Sequence, residues 1–523
     1  MLIKHETPHG SWGGRRTFVF ASAGAVVGLA NFWRFPYAMA ENGGLWFLLT
    51  YAGFLILFAL PLLYGEMLLG RLGRCSPVGT MGLLVKDFSS HSRWRSIGAL
   101  GTTAGLLTLA LYTVVAGMTL AYVFKSAFGE FSNALPAQVG ASLSRMQNDP
   151  AQLLAWEFLF MLGVLTILGR GVNRGIERAC LYLVPLFLLI LVGLLVYALV
   201  RGDVEAARIY LFGDAAQSYT WQSPLYAAQH AFFTLGVGMG AMMAYGAYSP
   251  GRYSMLPGLF WVIGVDLLVS LLAGLMIFPL VFAAGLGPTQ GFDLMFLVMP
   301  LTFGQLPLGQ LLAALFFVLM TLVAWGSAIA LGEPLVAWLV ERFRWSRRVA
   351  CWLLFSLMVP LTLGLTLSLG VSSEHHWYGV TWFGFYDLLV AGLLIPLTAL
   401  LIALYCGWGT GDHGLRDAVT EQQSLWFYRL WRILIRFVAP PLILVIMVMA
   451  SVNFARTACD VALANGQDFC GSDLDEHEVG ADTVSAVDLA SDLEDMLEFE
   501  VSQETASTAP VEVKSEERDD QDH

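Results

Sequence analysis

Long apolar segments recur along almost the whole chain, and they restrict its fold more than any other feature. Eleven of them reach roughly the 20 residues that a helix needs to cross a bilayer. We number these segments spans 1 to 11, and they lie near 15–38, 45–69, 97–124, 153–169, 179–200, 225–247, 257–285, 309–340, 349–369, 380–406 and 437–455. Lipid offers no hydrogen-bond partner to the backbone, so segments of this length predict an all-α integral membrane protein with about 11 transmembrane helices.

The composition argues against a water-soluble protein. Only 13% of the 523 residues are charged and 57% are hydrophobic, whereas soluble proteins carry about 25% charged residues. The net charge of −12 is unevenly distributed, because the region from Arg456 onward holds 20 of the 40 acidic residues and 3 of the 28 basic ones. The remaining body is therefore positive, and the acidic tail is expected to be disordered and solvated, with no partner indicated.

Basic residues are concentrated in the loops on one side of the predicted membrane domain. The loops after spans 2, 4, 8 and 10 contain RLGR, RGVNRGIER, ERFRWSRR and a group of three arginines, whereas the loops after spans 7 and 9 contain no Lys or Arg. The positive-inside rule therefore predicts a cytoplasmic N-terminus in a bacterial-type inner membrane. An odd number of spans then places the C-terminal tail in the periplasm, the only location in which Cys459 and Cys470 could pair.

Two spans are unusually rich in glycine at mid-membrane depth. Span 1 reads FVFASAGAVVGLANFWRFP and span 6 reads FFTLGVGMGAMMAYGAY, and each glycine costs about 1 kcal/mol of helix stability relative to alanine. The two spans occupy corresponding positions in two five-span halves, which is typical of transporters whose binding site lies between two discontinuous helices. The alternative is close helix packing through small residues.

Several polar residues lie at depths that lipid should exclude. Asp266 interrupts the apolar run of span 7, where insertion costs about 2.5–3.5 kcal/mol, and it is therefore a candidate functional residue unless it only bridges two helices. The others are Asn31 and Arg34 in span 1, Glu66 in span 2, Tyr112 in span 3, and His230 and Thr234 in span 6. Carboxylate, amide, hydroxyl and freed carbonyl oxygens suit a small hard cation, while freed helix N-termini attract a carboxylate. No HExxH, GxSxG or P-loop motif indicates an enzyme.

The stretches WGGRRTFVFASAGAVVGLANFWRFPYAMAENGG, FFTLGVGMGAMMAYGAY and GSAIALGEP resemble the neurotransmitter:sodium symporter family, in particular its bacterial leucine-transporter-like members. The resemblance extends from about Trp12 to about Ala455. It implies the leucine-transporter fold, with two inverted repeats of five helices and with helices 1 and 6 discontinuous. It also implies sodium-coupled symport of a small, mainly hydrophobic or aromatic amino acid by alternating access. The corresponding division of the chain is a cytoplasmic segment 1–11, a transporter domain 12–455 with repeats 12–200 and 224–406 and helix 11 at 437–455, and the tail 456–523.

The resemblance also implies roles for individual residues. The first sodium ion would be bound by the Val26 carbonyl, Asn31, Thr234 and Asp266, and the second by the carbonyls of Gly24, Val27 and Val323 and the hydroxyl of Ser327. The substrate would contact Val26, Leu29, Ala30, Thr108, Tyr112, Phe233, Thr234, Met239, Ser327 and Leu331. Arg34 and Asp387 would close the outer side, with Gly384 competing for the position aligned with Asp387, and Trp12, Tyr248 and Glu341 would close the inner side.

Four small departures from the family pattern bear on the binding site. Gly326 replaces the usual Ser or Thr and removes one hydroxyl ligand, which weakens the second sodium site and leaves one or two ions as the expected number. Ala25 and Gly236 replace polar residues and enlarge the pocket, which favours a bulkier side chain such as an aromatic one. Asp266 replaces an Asn of chloride-dependent relatives, and its fixed negative charge predicts chloride-independent transport.

Two histidines replace the residues that the family has at its gates. His9 stands at the inner-gate arginine position, where we expect a solvated N-terminal residue, and His230 stands at the outer gate beside Arg34. Since histidine titrates near neutral pH, either residue could make gating pH-sensitive. Two other functions stay open: a proton-coupled carrier in which Asp266 or His230 titrates, and an amino-acid sensor without turnover. The expected partners are the amino-acid substrate, Na+ and membrane lipid; nothing indicates a nucleic acid or a protein.

Overall fold

The structure is a computed structural model that describes residues 7–213, 218–250, 254–372 and 380–464. Within these ranges the regular structure is helical, and each predicted span corresponds to one helix or to a pair of helices. Nine spans are continuous: Leu45–Gly73, Ser92–Ala127, Pro150–Leu168, Val172–Arg201, Leu256–Ala283, Gly309–Phe343, Arg347–Leu369, Trp382–Gly409 and Leu425–Cys459. Span 1 consists of Arg15–Val26 and Ala30–Glu41, and span 6 of Ser223–Thr234 and Ala241–Ala247.

Both glycine-rich spans are broken, which confirms the prediction of two discontinuous helices. The halves of span 1 meet at a bend of 58° around residues 27–29. Span 6 is interrupted over residues 235–240, where Gly236, Gly238 and Gly240 have φ values of 63°, 89° and 72°. Such values are strained for residues that carry a Cβ atom, so these three glycines permit a non-helical backbone path that other residues would resist.

The position of each span between core and lipid follows from its exposed side chains. Span 8 is buried along most of its length, with Phe317, Met320 and Ala324 fully inside the protein. Span 5 instead exposes Leu189 and Val200 at 69% and 72%. Large exposed apolar residues on an outer helix are stable only in lipid, so the chain is a multi-pass membrane protein.

Helices outside the spans were not predicted from the sequence. They are Pro77–Asp87, Pro136–Gln147, Val204–Phe212, Met299–Gln305 and Gly411–Thr420. Residues 294–303 between spans 7 and 8 form a buried apolar helical segment that does not cross the membrane. A run of this length is too short to span a bilayer, and hydropathy alone gives it no position in the fold.

The helix of the last span continues past the predicted span boundary at residue 455, to Ala464. It also begins at Leu425, twelve residues before the predicted start, in the sequence LWFYRLWRI. Apolar runs mark where lipid begins and ends, whereas helices extend into the interface when the backbone can remain hydrogen-bonded. Cys470 and the rest of the acidic tail lie outside the described residues.

Span 2 supports the second half of span 6 through two glycine contacts. A Cβ atom at Gly70 would lie 1.8 Å from the Met243 carbonyl oxygen, and one at Gly246 would lie 2.2 Å from the Met67 carbonyl oxygen. Backbones this close leave no room for a side chain, as is common where membrane helices pack through small residues. The lower half of span 6 is therefore fixed against span 2.

We expect Gly70→Ala to lower the thermal unfolding temperature of the purified protein, although alanine is the better helix former. The new methyl group must push span 2 away from Met243, and overpacking of this kind costs about 1–3 kcal/mol. Gly53→Ala is the matched control, because Gly53 lies in the same helix and its Cβ would meet nothing within 4 Å. Equal unfolding temperatures for the two variants would contradict the close packing.

Candidate functional site

The two breaks meet between spans 3 and 8. A Cβ atom at Gly105 of span 3 would lie 2.6 Å from the Met239 carbonyl oxygen, in the break of span 6, and 3.4 Å from that of Leu331 in span 8. On the span 1 side, the Ser327 hydroxyl of span 8 donates to the Val27 carbonyl oxygen at 3.1 Å. The unwound segments are therefore enclosed by two long helices in the middle of the bundle.

Asp266 is the centre of a buried hydrogen-bond cluster that connects the breaks. Its carboxylate accepts from the Asn31 amide at 2.7 Å and from the Thr234 hydroxyl at 3.0 and 2.9 Å. The Tyr51 hydroxyl donates to it at 3.3 Å, and the Asp266 side chain has no exposed surface. The structure thus brings Asn31, Thr234 and Asp266 from spans 1, 6 and 7 to one point.

A cation would balance the charge of this cluster. Within the described ranges no Lys, Arg or His forms an ion pair with Asp266. An isolated buried carboxylate is unfavourable unless a counter-charge accompanies it. One carboxylate surrounded by amide, hydroxyl and carbonyl oxygens suits a hard cation. In the same part of the chain no group of three His, Cys, Asp or Glu side chains could hold a transition metal.

Glu66 stabilises the break of span 6 and does not belong to the Asp266 cluster. Its carboxylate accepts from the backbone N–H groups of Gly238 at 2.8 Å and Met243 at 3.3 Å. Those N–H groups lie in and just after the interrupted segment, where helical partners are missing. The polar residue of span 2 therefore satisfies the backbone that the glycines release.

The residues of the predicted second sodium site lie where span 1 contacts span 8. Gly24, Val27 and Val323 are buried and Ser327 is 7% exposed, in contact with Val27. A Cβ atom at Gly326 would lie 2.2 Å from the Gly24 carbonyl oxygen. Glycine at 326 therefore does more than remove a hydroxyl ligand: it allows the two backbones to approach within a distance that no side chain permits.

Three of the predicted substrate residues, Ala30, Phe233 and Thr234, line a vestibule of about 460 Å³. Asn31 and Arg34 line the same cavity. The Leu29 N–H donates to the Tyr112 hydroxyl at 3.4 Å, and the Thr108 hydroxyl donates to its own helix at Ala104. The remaining predicted lining residues are buried: Val26, Met239, Ser327 and Leu331. The cavity thus leads from one surface of the protein to the joint between the breaks.

The predicted outer gate is separated in this structure. Arg34 and Asp387 are both exposed and do not form an ion pair within 4 Å. His230 lies inward of them, with its ring packed edge-on against Phe35 at 5.7 Å between centroids. No Arg34–Asp387 ion pair therefore covers the vestibule in this structure.

The opposite end of the bundle is closed by a dense polar network. The Trp12 indole N–H donates to the Tyr245 carbonyl oxygen at 3.0 Å, and the Trp12 backbone N–H donates to the Tyr248 carbonyl oxygen at 2.9 Å. The Tyr248 hydroxyl donates to Glu333 at 2.6 Å, and Arg347 forms an ion pair with the same carboxylate. The side chains of Trp12, Tyr248 and Glu333 are at most 1% exposed. The first residues of span 1 are therefore fastened to spans 6 and 8.

The expectation that His9 is a solvated residue was wrong. Its side chain is 1% exposed, and its Nε2 lies 2.8 Å from a Glu341 carboxylate oxygen. Glu341 also accepts from the Ser76 backbone N–H at 2.7 Å and from the Ser76 hydroxyl. Glu341 therefore holds the N-terminal segment against the helix bundle through its contact with His9, and His9 is part of the inner closure.

Three residues of this closure were missed from the sequence. Glu333 stands in the quoted motif GSAIALGEP, but a buried acid needs a partner, and its partner Arg347 was counted only as a loop charge. Tyr245 contributes a backbone oxygen and packs its ring edge-on against Trp12 at 5.3 Å between centroids, and no sequence pattern reveals either contact. The Glu333–Arg347 pair could have been predicted from the presence of an acid and a base near the same membrane boundary, since buried charges are rarely unpaired.

Comparisons with known proteins agree with this architecture. The model of the sodium:neurotransmitter symporter family matches residues 9–138 and 137–461. The chain is 33% identical over 441 residues to YhdH of Bacillus subtilis, described as an uncharacterized sodium-dependent transporter, covering 83% of this chain and 96% of that protein. An uncharacterized sodium-dependent transporter of Haemophilus influenzae is 28% identical over 454 residues, covering 84% and 97%.

A solved structure gives the same result. The crystal structure of MhsT in complex with L-phenylalanine is 34% identical to this chain, with a TM-score of 0.75, covering 84% of this chain and 99% of MhsT. The broken first and sixth spans and the match to this structure establish the leucine-transporter fold. The chain therefore belongs to the sodium:neurotransmitter symporter family and is a sodium-dependent membrane transporter, not an enzyme.

Proposed function

We propose that this chain performs sodium-coupled symport of a hydrophobic or aromatic amino acid by alternating access. The observation that carries the proposal is the buried Asp266 carboxylate, which is hydrogen-bonded to Asn31 and Thr234 where the two broken helices meet. A cation bound there would touch residues of spans 1, 6 and 7 together. Cation binding would therefore favour the arrangement in which the substrate site is complete.

The substrate class follows from the residues around the breaks. Met239 and Leu331 supply apolar surface, and Phe233 faces the vestibule. A Cβ at Gly236 would be in van der Waals contact with the methyl groups of Met242 and Met239, at 3.9 and 4.0 Å. Flexible methionine side chains of this kind can adjust to a large substrate side chain. The structural neighbour MhsT was solved with L-phenylalanine, and this supports an aromatic or hydrophobic substrate here.

The two ends of the bundle suggest how transport proceeds. Substrate and sodium would enter through the vestibule, and Arg34 would then approach Asp387 to cover them. Release requires the hydrogen bonds from Trp12 to the carbonyl oxygens of Tyr245 and Tyr248 to break, and His9 to separate from Glu341. In a bacterial inner membrane with the vestibule facing the periplasm and the N-terminus in the cytoplasm, each sodium ion moving inward contributes about 2.3 kcal/mol per 100 mV.

In proteoliposomes, an inward sodium gradient should drive accumulation of phenylalanine, tryptophan, leucine or tyrosine, and replacing sodium by choline should abolish it. A panel of unlabelled amino acids that compete for uptake would identify the substrate. Uptake that persists without sodium but collapses with the pH gradient would replace the proposal by a proton-coupled carrier. Ligand binding without counterflow would indicate a sensor.

Chloride should not be required, because Asp266 already supplies a negative charge beside Tyr51 and Ser270. Replacing chloride by gluconate is expected to leave uptake by the wild type unchanged. Asp266→Asn should lower uptake at least about tenfold, the effect of losing 1.4 kcal/mol of ion binding, and chloride should partly restore it. Asp293→Asn, which removes a carboxylate outside the cluster, is the control. Strong chloride dependence of the wild type would overturn this prediction.

We expect coupling to involve one sodium ion, because the close approach of Gly326 to Gly24 would leave little room beside the residues proposed for a second site. Uptake should therefore depend on sodium concentration with a Hill coefficient near 1. We expect Gly326→Ser to lower both the unfolding temperature and uptake, since its Cβ would displace the first half of span 1 by overpacking. Gly264→Ala is the control, because a Cβ at that position meets nothing within 4 Å. If Gly326→Ser instead raised sodium affinity, the second site would have room for an ion and would lack only a hydroxyl ligand in the wild type.

A further inference from the structure

A second cavity lies far from the breaks, at the end of the bundle that holds the N-terminal segment. Its volume is about 680 Å³, and spans 4, 5 and 9 enclose it. Four arginines line it: Arg170, Arg174, Arg178 and Arg348. Its floor is apolar, formed by the buried Leu165 and Cys351, and its rim carries Leu162 and Trp352, which are 45% and 59% exposed.

In the part of the chain that the structure describes, the positive charge of this cavity has no carboxylate counter-charge. Within the described residues none of the four arginines forms an ion pair with a carboxylate. The neighbouring acids are committed elsewhere, because Glu177 accepts from the Gly13 N–H and Glu333 pairs with Arg347. Four guanidinium groups around one cavity repel each other, so the arrangement favours a bound anion.

The local backbone adds to this charge. Gly171, with φ of 82°, turns the chain sharply between spans 4 and 5, and this turn sets Arg170 beside Arg174. Span 9 begins at Arg347, contains no acidic residue in its first turn, and directs its positive N-terminal end to the same region. Arg348 lies within that first turn. The loop arginines that signal orientation in the sequence are therefore gathered at one site and not merely spread over a surface.

We propose that this cavity binds the headgroup of an anionic phospholipid, with its acyl chains lying against Leu162 and Trp352. Guanidinium groups bind phosphate oxygens through paired hydrogen bonds, and basic pockets between transmembrane helices at the cytoplasmic side suit anionic headgroups. A soluble phosphate ion uses the arginines alone, whereas a phospholipid also covers the exposed leucine and tryptophan. Four arginines fit a lipid with two phosphate groups better than a lipid with one.

The acidic C-terminal tail is a poorer occupant. Asn453, close to the end of span 11, lines the vestibule together with Arg34. The arginine cavity instead lies at the other end, where Gly10 approaches Asn173 and the Gly13 N–H binds Glu177. The chain leading to the tail thus leaves the bundle on the side opposite to the cavity.

Native mass spectrometry of the purified full-length protein would test the site. Cardiolipin, phosphatidylglycerol or phosphatidylcholine would be added to separate samples, with inorganic phosphate as a further arm. Wild-type protein should retain cardiolipin and phosphatidylglycerol through detergent exchange, should not retain phosphatidylcholine, and should not lose lipid to inorganic phosphate. The triple variant Arg170→Gln, Arg174→Gln, Arg348→Gln should bind the anionic lipids at least about tenfold more weakly.

The matched control is Arg93→Gln, Arg95→Gln, Arg429→Gln, which removes three exposed arginines from other basic loops. It should retain wild-type lipid binding. Equal loss in both variants would show a diffuse basic surface and overturn the site. Displacement of the bound lipid by inorganic phosphate would show that the cavity binds a soluble anion and not a lipid. The unfolding temperature of the triple variant in phosphatidylcholine nanodiscs shows whether it has a folding defect. If it has one, Arg348→Gln alone is tested in its place, and a smaller loss of anionic-lipid binding is expected. Binding is read directly, so the result is independent of transport.

Discussion

Backbone groups released in the middle of a membrane must find partners inside the protein, and this requirement organises the whole bundle. Unsatisfied N–H and C=O groups in hydrocarbon cost several kcal/mol each. Spans 1 and 6 nevertheless unwind, because Glu66 accepts from the N–H groups of the span 6 break and Ser327 donates to the carbonyl of Val27. The oxygens that remain are available to a cation. The binding site is therefore a consequence of how the breaks are tolerated.

Three acidic groups deep in the bundle have defined structural tasks. Glu66 accepts hydrogen bonds from backbone N–H groups of the span 6 break, and Asp266 accepts them from hydroxyl and amide groups. Glu333 binds Tyr248 and Arg347 at the closed end. Arg34, which lines the vestibule, and Asp387 differ, since both are exposed and they are not paired with each other. The contrast between a fastened end and an open end is what an alternating-access carrier needs, because one closure must be made while the other is broken.

Glycine has two separate uses in this chain. In the break of span 6 it permits positive φ values, whereas at Gly70, Gly105 and Gly326 it permits backbones to touch. The second use makes the scaffold rigid around the site. At Gly326 the close contact with Gly24 brings spans 1 and 8 together beside the residues proposed to bind a second sodium ion.

The sequence by itself determined the spans, the two interruptions and the importance of Asp266, because each depends on local composition: apolar length, glycine content and the cost of an acid in lipid. The residues expected around a cation, Asn31, Thr234 and Asp266, also meet as the resemblance implied. Only the tertiary structure decided which groups are paired. The burial of His9 on Glu341, the Glu333–Arg347 ion pair, the Gly326–Gly24 contact and the gathering of four arginines depend on residues far apart in the chain. Hydropathy describes how each helix meets lipid, but the distance between two helices is set by the side chains of both.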